Sequence, residues 1–292
     1  MKTITFYSYK GGAGRSSTTL NTLPYLVQSM HATATNPILL LDMDLDSAGM
    51  TYLLQSDVYF KGRYDVKKFL KGEENWSEAA APKLAEHELY KKFLPVGELL
   101  GVENDAVMFL GVDDESKVDN KDMDGPKQEV MSKFRRFCRK NGIKAVVIDS
   151  AAGDQFSAIL STDAANDIVC CMRPTMQFRI GTFSYLKRLS KITMDKRIVL
   201  LPTVVPNKDK MIDGELQRLK AINNIKERVK DLLFKDVSMS FVSEETFGIN
   251  EVERFKWKEA VLYKIALTSE LTEDEVEATN RYKKLARVLA ED

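Results

Sequence analysis

The chain has 292 residues, 44% of them apolar, with 43 basic and 43 acidic side chains and a formal net charge of zero. That apolar content supplies a core and excludes a disordered chain, and the balanced charge excludes a bulk pull toward nucleic acid or an anionic membrane. Three cysteines, Cys138, Cys170 and Cys171, offer neither a disulfide framework nor a zinc spacing.

In chain order, "TITFYSY" (3–9) is a short β-rich run that ends in "KGGAGRSS" (10–17). Leu20, Leu23, Leu26 and Val27 then recur with helical spacing, and Pro24 predicts a kink or a short first turn. "PILLLDMD" (37–44) is a near-continuous apolar run, as a buried parallel strand requires. Residues 57–105 read as charged helices and loops inserted between strands, and 113–125 as an acidic loop. Within that loop "NKDMDG" has the form of a calcium-loop start, but Met131 stands where the bidentate Glu belongs and Pro126 follows the Gly, so a solvated loop is expected. Further strands are read at 106–112, 144–150, 167–172, 197–205 and 236–242.

Amphipathic stretches separate most of these strands. The expected fold is α/β, a doubly wound, mostly parallel sheet with helices on both faces, in one domain over 1–292. "TEDE" (272–275) has the form of a capping box, and Tyr282, Leu285 and Leu289 make a core-facing stripe behind it. No apolar run is long enough to span a bilayer, and the N-terminus does not read as a signal peptide. A cytoplasmic protein is expected.

Ligands of doubly wound sheets bind beyond the carboxyl ends of the strands, and three polar clusters fall there. Gly11, Gly12 and Gly14 let backbone N–H groups turn toward phosphate oxygens, with the N-terminal end of the next helix behind them. Ser16 stands where a hydroxyl would ligate Mg²⁺, and Ser17 follows. Arg15 replaces the usual lysine; it keeps the charge and changes the geometry, which places hydrolysis rather than binding at issue. Asp42 and Asp44 close the second strand, where two carboxylates are costly without a metal, a water network or a helix-capping task. Asp149 ends "VVID" ahead of Gly153 and reads as an acid holding Mg²⁺ beside a switch loop.

"KGGAGRSS", "LLLDMDLD" and "VVIDSAAG", in this order, resemble the deviant Walker A family of P-loop ATPases, that of ParA, MinD and their relatives. "DAANDIVCCMRPTMQFRIGTFSYLKRL", "IVLLPTVVPN" and "FGINEVERFKWKEA" continue the likeness, which leaves out 57–105 and 113–125. The resemblance implies Mg·ATP held by Gly11, Gly12, Ala13, Gly14, Arg15, Ser16 and Ser17. It makes Lys10 the signature lysine that reaches the nucleotide of a second subunit. It places Asp44 near the attacking water, Asp42 in support of the metal held by Ser16 and Asp149, and Asn207 on the adenine. Some relatives carry Arg at the position of Arg15.

The expected function is an ATP-dependent dimerisation switch that hydrolyses ATP slowly and positions or partitions a cargo, DNA or a protein complex. It would form a homodimer on ATP binding, and a protein partner would stimulate hydrolysis. The alternative is a nucleotide-binding scaffold with little or no turnover. A ligase-type metabolic enzyme is disfavoured by Lys10. The family's DNA-binding N-terminal extension and MinD's basic membrane-targeting tail are not expected, nor is an iron–sulfur cluster. Basic stretches at 133–140, 185–191 and 226–230 are either solvated helix faces balanced by acids or a nonspecific DNA surface of the dimer.

Overall fold

The structure is a computed structural model that describes residues 1–72, 84–113, 127–191, 195–207, 213–232 and 236–291. The acidic loop beyond Asp113 lies outside these residues, and with it the calcium-like "NKDMDG".

The elements run β1 (Lys2–Ser8), α1 (Arg15–Met30), β2 (Ile38–Met43), α2 (Gly49–Leu53), α3 (Asp57–Phe60), α4 (Val66–Lys71), β3 (Leu94–Pro95), α5 (Gly97–Leu100), β4 (Val107–Leu110), α6 (Lys127–Lys140), β5 (Ala145–Ala152), α7 (Phe156–Ala164), β6 (Asp167–Met172), α8 (Met176–Ser190), β7 (Arg197–Pro202), α9 (Gly214–Val229), β8 (Asp236–Ser238), α10 (Leu262–Ala266) and α11 (Glu273–Ala290). The strands form one sheet in the order β3-β4-β2-β5-β1-β6-β7-β8. All neighbours pair in parallel except β3, which joins β4 antiparallel at the edge. The expected doubly wound α/β sheet is what the chain forms.

The apolar runs become central strands because both faces are covered. Every residue of β2 and β6 is buried, as is all of β1 after Lys2. On one face α1 packs on α11, whose Tyr282, Leu285 and Leu289 are buried. The capping box of Thr272 and Glu275 starts that helix as expected. On the other face α6 lies against α7, and α8 against α9. α7 and α8 are joined by a 3.0 Å hydrogen bond between the Thr162 and Tyr185 hydroxyls.

Three expectations are corrected. α1 runs unbroken through Pro24: the proline forfeits one helical hydrogen bond, but it sits among Leu23, Leu26 and Val27 in the buried face that fixes the helix. β3 was not legible, being two residues long. The last strand stops at Ser238 instead of running to 242. Its chain turns back so that Ile249 N donates to Pro202 O at 2.8 Å. Gly248 permits this return: its φ is 72°, and a Cβ there would stand 2.0 Å from the Pro202 carbonyl oxygen.

Candidate nucleotide site

The turn from β1 into α1 requires glycine at Gly12 and Gly14, whose φ values are 78° and 71°. A Cβ at Gly11 or Gly12 would meet nothing within 4 Å, so these glycines leave the loop surface bare toward open space. Gly14 is also the N-cap of α1 and supplies no side-chain cap to the first-turn N–H groups. Uncapped N–H groups at the positive end of a 16-residue helix are suited to an anion. The loop is braced from outside: Arg173 Nε donates to Gly12 O at 2.8 Å, and the Thr203 hydroxyl donates to Ala13 O.

A cavity of about 650 Å³ opens on this loop. Gly11, Gly12, Ala13, Gly14, Arg15, Ser16 and Ser17 all line it, together with Asp44, Ser47, Tyr52 and, from the far end of the sequence, Lys258. A second, smaller cavity of about 320 Å³ adjoins Gly12, Gly14 and Ser17 and has apolar walls from Val204, Val252 and Phe255. That pairing suits a polyphosphate on the loop and a flat apolar group beside it.

Beneath the loop lies a charge cluster. Asp42 and Asp149 stand in register on the adjacent strands β2 and β5, and both are fully buried. Arg15, 8% exposed, turns inward. Its Nε donates to Asp149 Oδ1 at 2.8 Å and its Nη2 to Asp44 Oδ2 at 2.9 Å. Nη1 lies 3.4 Å from Ser8 Oγ. The Ser16 hydroxyl donates to the other Asp149 oxygen at 2.6 Å. Burial opposes the charge on Arg15, but Asp149 and Asp44 more than restore it and raise its proton affinity. Burial pushes the Asp149 carboxyl up, against the pull of Arg15 and Ser16.

Asp42 takes another course. Its Oδ2 accepts from Thr51 N at 2.9 Å and the Thr51 hydroxyl at 2.8 Å, and its Oδ1 from Asp44 N at 3.1 Å. Burial, then Asp149, push its carboxyl up to about 7, against those hydrogen bonds. Asp42 therefore lies under the cavity and fixes the chain after β2, and it does not line the wall. Lys10 is exposed and donates to Gln177 Oε1 at 3.2 Å, outside the cavity lining. Asn207 lines a third cavity with Arg218, Asn250 and Arg281, which shares Asn250 with the apolar one, and its Oδ1 is buried without a partner.

The structure thus brings together the glycine loop, Arg15, Ser16, Ser17, Asp44 and Asp149, with Asp42 beneath them. Lys10 stands on the outer rim, and Asn207 lines an adjoining cavity. Sequence reasoning missed Arg173, Thr203 and Lys258. The first two follow the carboxyl ends of β6 and β7, so the strand-end rule could have found them. Nothing local marks Lys258. The basic stretches carry acids of their own: Lys133 pairs with Glu129 at 2.8 Å, Arg188 with Asp154 at 2.6 Å and Lys230 with Glu227 at 2.7 Å.

No family model matches the sequence, and no curated protein does. Solved structures do. An ATP complex of a McdA variant from Cyanothece superposes with a TM-score of 0.64 at 14% identity, over 100% of this chain and 97% of that one. The MinC:MinD cell division complex of Aquifex aeolicus gives 0.60 at 14% identity, over 100% and 97%. MinD of Pyrococcus horikoshii with Mg-ADP gives 0.57 at 16% identity, over 99% and 95%.

The chain has the ParA/MinD fold.

Within it the residues fit a magnesium ion in part. Ser16 Oγ and the Asp149 carboxylate are adjacent hard oxygen donors of the kind Mg²⁺ takes. Among the described residues no group of three or more His, Cys, Asp or Glu side chains is arranged to hold a metal. No helix among the described residues is long and apolar enough to cross a membrane.

Proposed function

We propose that this protein is an ATP-dependent dimerisation switch of ParA/MinD type, which binds ATP on the glycine loop and hydrolyses it slowly to position or partition a cargo. The observation that carries the reading is the uncapped helix N-terminus and bare glycine loop, set above Asp149 and Asp44 with an exposed Lys10 at the rim. The triphosphate would lie on the Gly11–Ser17 backbone and the base in the apolar slot by Val204 and Phe255. Ser16 and Asp149 would hold a magnesium ion, which supplies neutralising charge for the phosphates. Asp44 lines the same cavity and would orient a water against the terminal phosphate. No histidine lines either cavity, so turnover rests on positioning and charge.

The dimer reading gains from the surface around Lys10. Met176 is 69% exposed next to Lys10's partner Gln177, and Ile180 is exposed one turn further along α8. A second subunit would cover these apolar side chains and receive Lys10 on its nucleotide. A protein partner is in keeping with the MinC:MinD complex, a solved structure of similar fold, and stimulation of hydrolysis by such a partner is part of the proposal. DNA is the weaker cargo surface, because the basic stretches are partly neutralised by their own acids.

A second reading, a nucleotide-binding scaffold with little turnover, is favoured by one observation: Arg15 is committed to two carboxylates. Single-turnover phosphate release decides between them. The switch predicts release above background that increases with DNA or a protein partner; tight ATP binding with no release under any of these conditions would leave the scaffold.

A further inference from the structure

Arg15 is the loop residue expected to meet the phosphates, yet its guanidinium is turned onto two carboxylates. Each of its three nitrogens is spoken for: Nε by Asp149, Nη2 by Asp44 and Nη1 by Ser8. Asp149 is fully buried and does not line the cavity, whereas Arg15, its ion-pair partner, does. Ser16, the other candidate metal ligand, is turned onto the same carboxylate. The groups that would take the nucleotide and the metal are therefore bonded to each other.

This arrangement has an electrostatic reason. A buried carboxylate without a cation is costly, so Asp149 needs Arg15 as long as no other cation is present. A guanidinium suits this task better than an ammonium, because its planar fork donates in two directions at once and so spans Asp149 and Asp44. For Arg15 to reach a phosphate it must leave both acids. It can leave Asp149 at low cost only when a divalent cation arrives there. Conversely, a metal can approach Asp149 Oδ1 only when the guanidinium has moved, and a polyphosphate above the loop offers it a destination.

We infer that Arg15 is a two-position latch, which in one position serves as counter-cation to Asp149 and Asp44 and moves to the phosphates only when metal and nucleotide arrive together. This rests on the nucleotide reading of the cavity. It makes the site selective for the metal–nucleotide complex over free nucleotide, through a residue of this chain and before any chemistry. Arg15 acts here as a positioning residue, and Asp44 is the arm that can be loosened without baring the buried Asp149.

The test is a double-mutant cycle read by equilibrium binding. A fluorescent, nonhydrolysable ATP analogue is titrated in EDTA and again in excess Mg²⁺, using the full chain, Asp44→Asn, Arg15→Lys and the double variant, each checked for an unchanged circular dichroism spectrum. Asp44→Asn should tighten metal-free binding by about tenfold, the equivalent of one charge-assisted hydrogen bond no longer holding Arg15 back. In the Arg15→Lys background, where one ammonium cannot span both acids, the same change should give less than about twofold. Equal effects in the two backgrounds would mean that Asp44 merely repels phosphate, and the latch is then wrong. Metal-free binding by the parent as tight as with Mg²⁺ overturns it too. If the parent binds the analogue in neither condition, the nucleotide reading and the latch fall together, whereas a failed latch leaves binding intact.

Discussion

Lys10 and Arg15 stand at the two ends of one glycine loop, and their surroundings have little in common. Lys10 is exposed and held by one hydrogen bond to Gln177. Arg15 is buried, with two ion pairs and a serine hydroxyl around it. The backbone turns at Gly12 and Gly14 separate the two charges, sending one outward and the other beneath the helix start. A solvated ammonium is free to act on something outside the subunit. A guanidinium that neutralises buried acids is part of the fold first and can be a ligand group only by leaving them.

The difference between the two side chains should be largest in stability. Arg15→Ala leaves Asp149 buried without its cation and should cost about 3–5 kcal/mol in urea unfolding. A loss below about 1 kcal/mol would show that Asp149 does not depend on Arg15. Asp42 sharpens the point, since it is equally buried and is held by Thr51 and the Asp44 backbone with no guanidinium. Its carboxyl is raised from 3.8 to about 7, so the folded state holds this proton more tightly than the unfolded chain does. The resulting stability is fully present below the unfolded value and is lost as pH rises through about 7. Between about pH 5 and about pH 8 the loss should be on the order of 2–3 kcal/mol. Asp42→Asn should flatten that slope in unfolding experiments, and an unchanged slope would assign the pH dependence to other groups. Smallest of all, Lys10→Ala should change stability by less than about 0.5 kcal/mol. A larger cost would mean that Lys10 is structural.

Most of the sheet was legible in the sequence because parallel strands covered on both faces read as apolar runs; "ILLLDM" and "DIVCCM" are entirely buried. β3 carries no such run, and the early end of β8 depends on Gly248 closing against Pro202, a contact made by tertiary structure. The loop and its acids were legible as types at strand ends. The direction of the Arg15 side chain was not, because it is set by Asp149, 134 residues away in the chain. Asn207 was expected on the base and lines a cavity adjoining the apolar one, while Lys258 reached the site with no local pattern to announce it.

The outward role of Lys10 is the centre of the account, and solution mass tests it most directly. Light scattering with Mg²⁺ and a nonhydrolysable ATP analogue should show the parent doubling from its 33.1 kDa monomer. Lys10→Ala should bind the analogue and remain a monomer. A parent that stays monomeric while saturated with the analogue, or a Lys10→Ala variant that doubles as fully as the parent, would contradict the dimerisation switch.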